Sequence, residues 1–189
     1  MTAIVTTPPA SEPVTLEEAR AQLRLTGEAE DGLLGRLIAA ARAQVERATR
    51  RALVTQGWRL YLDAWPPGRV VRLPVAPVAT VETVTVYDGD GVPVALDPQV
   101  YRLDGAAEPP RLKVAAGAPA GMTGFNGIEI DFIAGYGGDA AAVPQPLRHA
   151  VLLLVAHWFE HREAMADPGA LGTPPGVAAL LASYRTLRL

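Results

Sequence analysis

From residue 31 to residue 52 the apolar positions recur at helical spacing. Leu33, Leu34, Leu37, Ile38, Ala41, Val45, Ala48 and Ala52 share one side, and Arg36, Arg42, Glu46, Arg47 and Arg50 take the others. This is the pattern of an amphipathic helix, starting near Asp31. Ahead of it, Thr15-Leu16-Glu17-Glu18 has the form of a capping box, in which each end residue satisfies the other's backbone N–H. A short helix to about Leu25 is expected there, with Gly27 as its stop. From Gln56 the period changes to two: Trp58, Leu60 and Leu62 alternate with Arg59 and Tyr61, as in a strand with one buried face. A second alternation over residues 81–87 runs into Asp88-Gly89-Asp90-Gly91, a hairpin signal because glycine supplies the positive φ of the turn.

Shorter strands are expected over 92–96, 100–103, 111–114 and 128–133, among prolines that favour an edge-rich sheet with long loops. Helix returns after Pro144 and runs to about Glu163, hydrophobic nearly all round from Leu147 to Phe159. That breadth predicts burial on more than one side, with part of the surface left for a neighbouring subunit. A Pro/Gly-rich linker then leads to a tail in which Val177, Leu180, Leu181, Tyr184 and Leu187 form a stripe at helical spacing. The expected class is α+β: a small, mostly helical bundle (14–55 and 140–189) with a β module (56–139) inserted between its second and third main helices. Residues 1–13 are expected to be a flexible leader.

Composition narrows the classes of function. The 189 residues are 49% hydrophobic and 20% charged, ordinary values for a globular chain. A net charge of −3 supplies no global basic field for nucleic acid. Without cysteine there is neither a disulfide nor a thiolate metal site, which suits a reducing compartment. Residues 1–13 lack a basic n-region and an apolar core, so no signal peptide is expected there. The longest apolar run falls far short of the roughly 20 residues of a membrane span, so no membrane partner is expected.

One motif tempts a catalytic reading. His157-Trp158-Phe159-Glu160-His161 fits H-x-x-E-H, which on a helix sets two imidazoles on one face with a carboxylate to activate a zinc-bound water. A third protein ligand is needed, and Glu163 and Asp167 lie too near in sequence to arrive from a separate helix. His149 points about 80° away from His157. The favoured reading is therefore structural: the polar end of an apolar helix, its histidines at a subunit contact or near the helix C-terminus, where partial negative charge suits them. The zinc-dependent hydrolase stands as the alternative. The glycines between 121 and 138 match no phosphate-binding frame, and the two serines, Ser11 and Ser183, give a triad no centre. No catalytic residue, metal or cofactor is expected. The arginines of the second helix, among them Arg36, Arg42 and Arg47, are read as a solvated or intersubunit face, together with Leu152, His157, Trp158, His161 and Arg162.

Taken in order, several of these segments resemble head–tail connector (adaptor) proteins of long-tailed phages. They are the first helix opening at Thr15, the run from Leu33 to Arg42 after Asp31, and Gly135-Tyr136-Gly137 followed by Val143-Pro144. The series closes with Arg162-Glu163 and Tyr184-Arg185. The family also occurs in prophages and gene transfer agents. The resemblance implies a structural protein without chemistry: a ring, expected to be a dodecamer, assembled in a bacterial cytoplasm beneath the portal. Such a ring extends the channel for double-stranded DNA, which passes without sequence-specific binding, and meets a stopper or tail-completion protein. Another ring of the particle, stopper or tail terminator, is the non-enzymatic alternative. In this frame the tail, with Leu180, Leu181, Tyr184, Arg185, Leu187, Arg188 and Leu189, is a candidate portal-docking helix; packing back on its own bundle is the other reading.

Overall fold

The computed structural model describes residues 1–121, 124–161 and 173–185. Helices and antiparallel strands both occur, so the chain is α+β. It divides into two compact units, one of residues 10–54 and 136–189, the other of residues 1–9 and 55–135.

Among the described residues the first unit holds four α-helices: α1 (Leu16–Leu23), α2 (Asp31–Thr49), α3 (Gln145–Glu160) and α4 (Pro175–Ala182). Its core sets Leu34, Ile38, Ala41 and Val45 of α2 among Leu147, Ala150, Val151, Leu154 and Val155 of α3, all at most 2% exposed. Each buried Leu, Ile or Val of this set stabilises the unit by about 1.5–3 kcal/mol relative to exposure, and each Ala by less. The capping box at α1 is complete: Glu18 N–H donates to Thr15 Oγ1 (3.1 Å) and Thr15 N–H to Glu18 Oε2 (2.8 Å). Both first helices stop earlier than their patterns suggest. Arg24 (φ 55°) and Arg50 (φ 56°) take the left-handed conformation and end α1 and α2. After α2 this turn carries Ala52, Leu53 and Val54 into the interior, where they are at most 1% exposed.

The second unit holds β1 (Thr2–Thr7), β2 (Gln56–Leu62), β3 (Val70–Arg72), β4 (Val78–Tyr87), β5 (Pro93–Ala95), β6 (Tyr101–Asp104), β7 (Arg111–Val114) and β8 (Ile128–Ala134). They form a five-stranded sheet in the order β1-β2-β8-β4-β5 and a three-stranded sheet in the order β3-β7-β6. Leu60, Val84, Val86, Ile128, Ile130 and Phe132 make the buried side of the larger sheet. Its other side is polar: Arg59 pairs with Asp131 (2.7 and 3.0 Å), whose carboxylate also accepts from Thr83 Oγ1 (3.0 Å).

The expected flexible leader is corrected. Thr2–Thr7 is an edge strand pairing antiparallel with β2, from Thr2 opposite Tyr61 to Thr7 opposite Gly57. Five of its six residues are exposed, so it has no buried face to impose an alternation; only its β-branched content pointed to a strand. Its register slips between Val5 and Thr7. Gly57 permits that slip, since a Cβ there would sit 2.9 Å from Thr6 Oγ1 and 3.1 Å from Thr7 Cβ. Residues 11–13 are fastened as well. Ser11 Oγ donates to the Gly138 carbonyl (3.1 Å), Glu12 accepts from Arg42 Nε (2.7 Å) and the Pro13 carbonyl accepts from Arg148 Nε (2.9 Å).

Candidate functional site

The histidine pair lies at the C-terminal end of α3. The rings of His157 and His161 are 4.5 Å apart at 43°. His161 Nδ1 lies 2.8 Å from the His157 carbonyl oxygen. That oxygen can only accept, so the contact requires the proton on Nδ1 and ties the ring to the helix end. His161 N–H donates to the same carbonyl (3.1 Å), which makes His161 the closing residue of the helix. Among the described residues no group of three His, Cys, Asp or Glu side chains could hold a metal ion. The zinc-hydrolase alternative therefore has no geometric support.

The remaining expected contact residues of α3 differ in access. Leu152, His157 and Trp158 are half-buried and His161 is exposed, while Arg162 lies outside the described residues. Leu152 and Trp158 pack against the core of their own unit. The Trp158 Nε1–H is buried without a hydrogen-bond partner.

The α2 arginines separate into two kinds. Arg36 and Arg47 are exposed, and Arg47 Nη2 donates to Gln44 Oε1 (2.9 Å). Arg42 has a side chain only 16% exposed and is committed within the chain, to Glu12 (2.7 Å) and Glu46 (2.9 Å). Its guanidinium joins the segment before α1 to α2, so it is a fastening and not part of a free face. Arg148 of α3 plays a similar part, gripping the Pro13 carbonyl and the Glu18 carboxylate. The Thr15 N–H and the Arg148 guanidinium hold the Glu18 carboxyl below the ordinary carboxylate range, against an opposing push from burial.

The tail is seated on its own unit. Val177 and Leu181 are fully buried in the helical core, and Leu180 and Tyr184 pack against it. Arg51 secures the end of α4: its Nε donates to the Tyr184 carbonyl (3.1 Å), its Nη1 to the Tyr136 hydroxyl (3.2 Å), and its guanidinium lies 5.7 Å from the Tyr184 ring centroid. A detached helix offering Leu181 to a partner is thereby corrected, because that side chain completes the intrachain core. Arg185 is exposed; Leu187, Arg188 and Leu189 lie outside the described residues.

One charged surface was missed by the sequence reading. On the three-stranded sheet, Val70, Lys113 and Arg102 stand in one cross-strand row and Arg72, Arg111 and Asp104 in the next. Between these rows Val71 and Leu112 turn inward and are buried. The outward side carries a cleft of about 440 Å³ lined by Val70, Arg102, Leu103, Asp104, Arg111 and Lys113. The Arg111 guanidinium, 2.9 Å from Asp104 Oδ2, lowers that carboxyl's pKa. The alternation in Arg111-Leu112-Lys113-Val114 was legible as a strand, but which cations meet on one side depends on the pairing.

The model of a family described as phage gp6-like head-tail connector protein matches residues 13–88. A chain in the solved neck of an empty gene transfer agent (GTA) particle, computed with C6 symmetry, is 39% identical with a TM-score of 0.84. A chain in the virion of a native GTA particle is 36% identical with a TM-score of 0.82. A third, in the neck of a native GTA particle computed with C12 symmetry, is 36% identical with a TM-score of 0.79. Each match covers 100% of this chain and 97% of the other. No curated protein sequence gives a significant match.

Proposed function

Since the chain belongs to the phage gp6-like head–tail connector family, we propose that it is a ring-forming subunit in the neck of a phage-like particle, beneath the portal. The ring extends the channel through which double-stranded DNA passes and joins the capsid to a stopper or tail-completion protein. The observation that carries this reading is the full-length likeness, at 36–39% identity, to chains of GTA necks computed with C6 and C12 symmetry. We take the ring to be a dodecamer assembled in the bacterial cytoplasm; the C12 symmetry of one of the similar necks supports the copy number. In this reading the helical unit and the β unit act as a bundle and its inserted module.

Such a ring needs two different faces per subunit, because a heterologous contact closes only if each copy offers one patch to the next. We assign Arg36 and Arg47 of α2, with His157 and His161 at the end of α3, to the subunit contact. Portal docking is assigned to the chain end from Arg185 onward, since Leu181 is occupied. The mild net negative charge suits a channel wall that must not grip phosphates. The test is electron microscopy of particles made without this protein. Filled heads lacking tails are expected; normal tailed particles would remove it from the neck. Truncation after Arg185 leaves the Arg51–Tyr184 fastening intact and should abolish co-sedimentation with portal rings without changing the melting temperature.

A further inference from the structure

Away from the Arg59–Asp131 side of the larger sheet, the β unit carries two surfaces of unlike charge. From residue 73 to residue 101 there is no Lys, Arg or His, while Glu82, Asp88, Asp90 and Asp97 are all exposed. Glu82 belongs to β4 and the three aspartates to the segments flanking β5, an edge strand of the larger sheet. Between them stand two exposed apolar side chains, Val92 (53%) and Val94 (45%). The cations resume with Arg102 and collect on the three-stranded sheet: Arg72, Arg102, Arg111 and Lys113, with Asp104 as the one acid in those two rows.

The edge is built to be met by side chains and not by another strand's backbone. Asp88 N–H donates to the Val92 carbonyl (3.1 Å) and Leu96 N–H to the Val84 carbonyl (2.8 Å). With Val92 and Leu96 turned toward β4, the alternation of an antiparallel ladder turns the backbones of Pro93 and Ala95 outward. Proline has no N–H to offer there, which guards the edge against strand addition. Recognition of this surface must then come from its carboxylates and its two valines.

We propose that the basic outward side of the three-stranded sheet receives the acidic β4–β5 edge of a second copy of this chain, head to tail. The inference rests on the ring reading above and adds a contact in the β unit to the one assigned to the helical unit. Val70 in the cleft and Val92 and Val94 on the edge give the contact an apolar centre, and the opposite charges around them fix its orientation. Because the two surfaces differ, the contact is heterologous, the kind that builds a ring when its rotation closes. A nucleic acid backbone fits the basic side less well. Arg111 is paired with Asp104 and Lys113 Nζ is held by the Gly68 carbonyl (2.6 Å), leaving Arg72 and Arg102 as its uncommitted cations among the described residues. Tight phosphate binding draws on many more contacts than two.

Two double variants test this, each changing exposed side chains that make no hydrogen bond or ion pair among the described residues. Arg72→Glu with Arg102→Glu reverses the basic side; Glu82→Lys with Asp90→Lys reverses the edge. Sedimentation of the full chain at low salt is expected to show self-association weakened at least about tenfold in either variant. The equimolar mixture should recover it, because each altered surface then meets a complementary one around an alternating ring. Unchanged melting temperatures check the fold. Self-association that neither variant weakens, or that the mixture fails to recover, overturns the proposal; so does a wild-type chain that stays monomeric at low salt and roughly millimolar concentration. Salt-sensitive binding of a random DNA duplex, lost in the first variant while assembly persists, would transfer the basic side to nucleic acid. Failure of the neck reading shows separately, as tailed particles formed without the protein.

Discussion

The helical unit and the β unit are held together by different means. In the first, four helices bury a common apolar core, and half-buried arginines fasten the segments that lie between and before them. Arg42 and Arg148 hold residues 12 and 13, and Arg51 holds the end of α4. In the second, an almost wholly exposed strand, β1, is kept by its ladder to β2 and by the room left at Gly57. Damage to the core should therefore destroy the helical unit cooperatively. Damage at the sheet edge should release one strand.

The largest effect is expected at the centre of that core. Leu154 is fully buried on α3. Leu154→Asp places an uncompensated charge there, with a cost of several kcal/mol against a total stability of about 5–15 kcal/mol. Loss of cooperative melting, or failure to remain soluble, is the expected outcome in circular dichroism and expression. A soluble variant with a single sharp transition would contradict this account of α3.

A smaller and more local effect is expected from Gly57→Val. The added side chain meets Thr6 and Thr7 in the slip of register, and overpacking of this kind costs about 1–3 kcal/mol. Residues 2–7 should lose hydrogen-exchange protection while α2 and α3 keep theirs. Equal loss in α2 and α3 would show that the contrast between the units is wrong.

The same contrast explains what the sequence made legible. Elements along which burial repeats announce themselves: α2 and β2 follow from their period, and α3 from the long apolar run after Pro144. Thr2–Thr7 has no such repeat and hides beside Pro8-Pro9. The helix ends at Arg24 and Arg50 escape notice because a left-handed arginine has no sequence signature, unlike the glycine expected at position 27. The assignment of Leu181 to a partner failed for a related reason. A stripe of apolar residues says that something covers it, but only tertiary packing tells whether the cover is the chain itself. The charge separation of the β unit was half visible, as a run of 29 residues from 73 to 101 without a cation. The matching basic side was not, because it joins three strands whose partners are set by topology.

The smallest effect expected is a pH dependence, and it sharpens the comparison because each unit contains a carboxyl with a depressed pKa. In the helical unit this is Glu18, held by the Thr15 N–H and by Arg148; in the β unit it is Asp104, held by Arg111. A depressed carboxyl contributes stability that is fully present above its unfolded pKa and is lost as the pH falls through its folded one. For Glu18 the loss therefore begins near the ordinary value of 4.5 and continues below it. The Arg148 side chain is only 13% exposed and Glu18 37%, whereas Arg111 and Asp104 are 56% and 43% exposed, so solvent screens the second pair more. Glu18→Gln should thus flatten the fall in melting temperature between pH 6 and pH 3 more than Asp104→Asn does, and added salt should erase the Asp104 contribution first. Arg148→Met should reproduce part of the Glu18→Gln flattening and also destabilise at neutral pH, by about 1–3 kcal/mol, because the Glu18 carboxylate and the Pro13 carbonyl lose their donor. Equal flattening by Glu18→Gln and Asp104→Asn would mean that both pairs are screened alike, and that the fastening of α1 to α3 is no stronger than a surface ion pair.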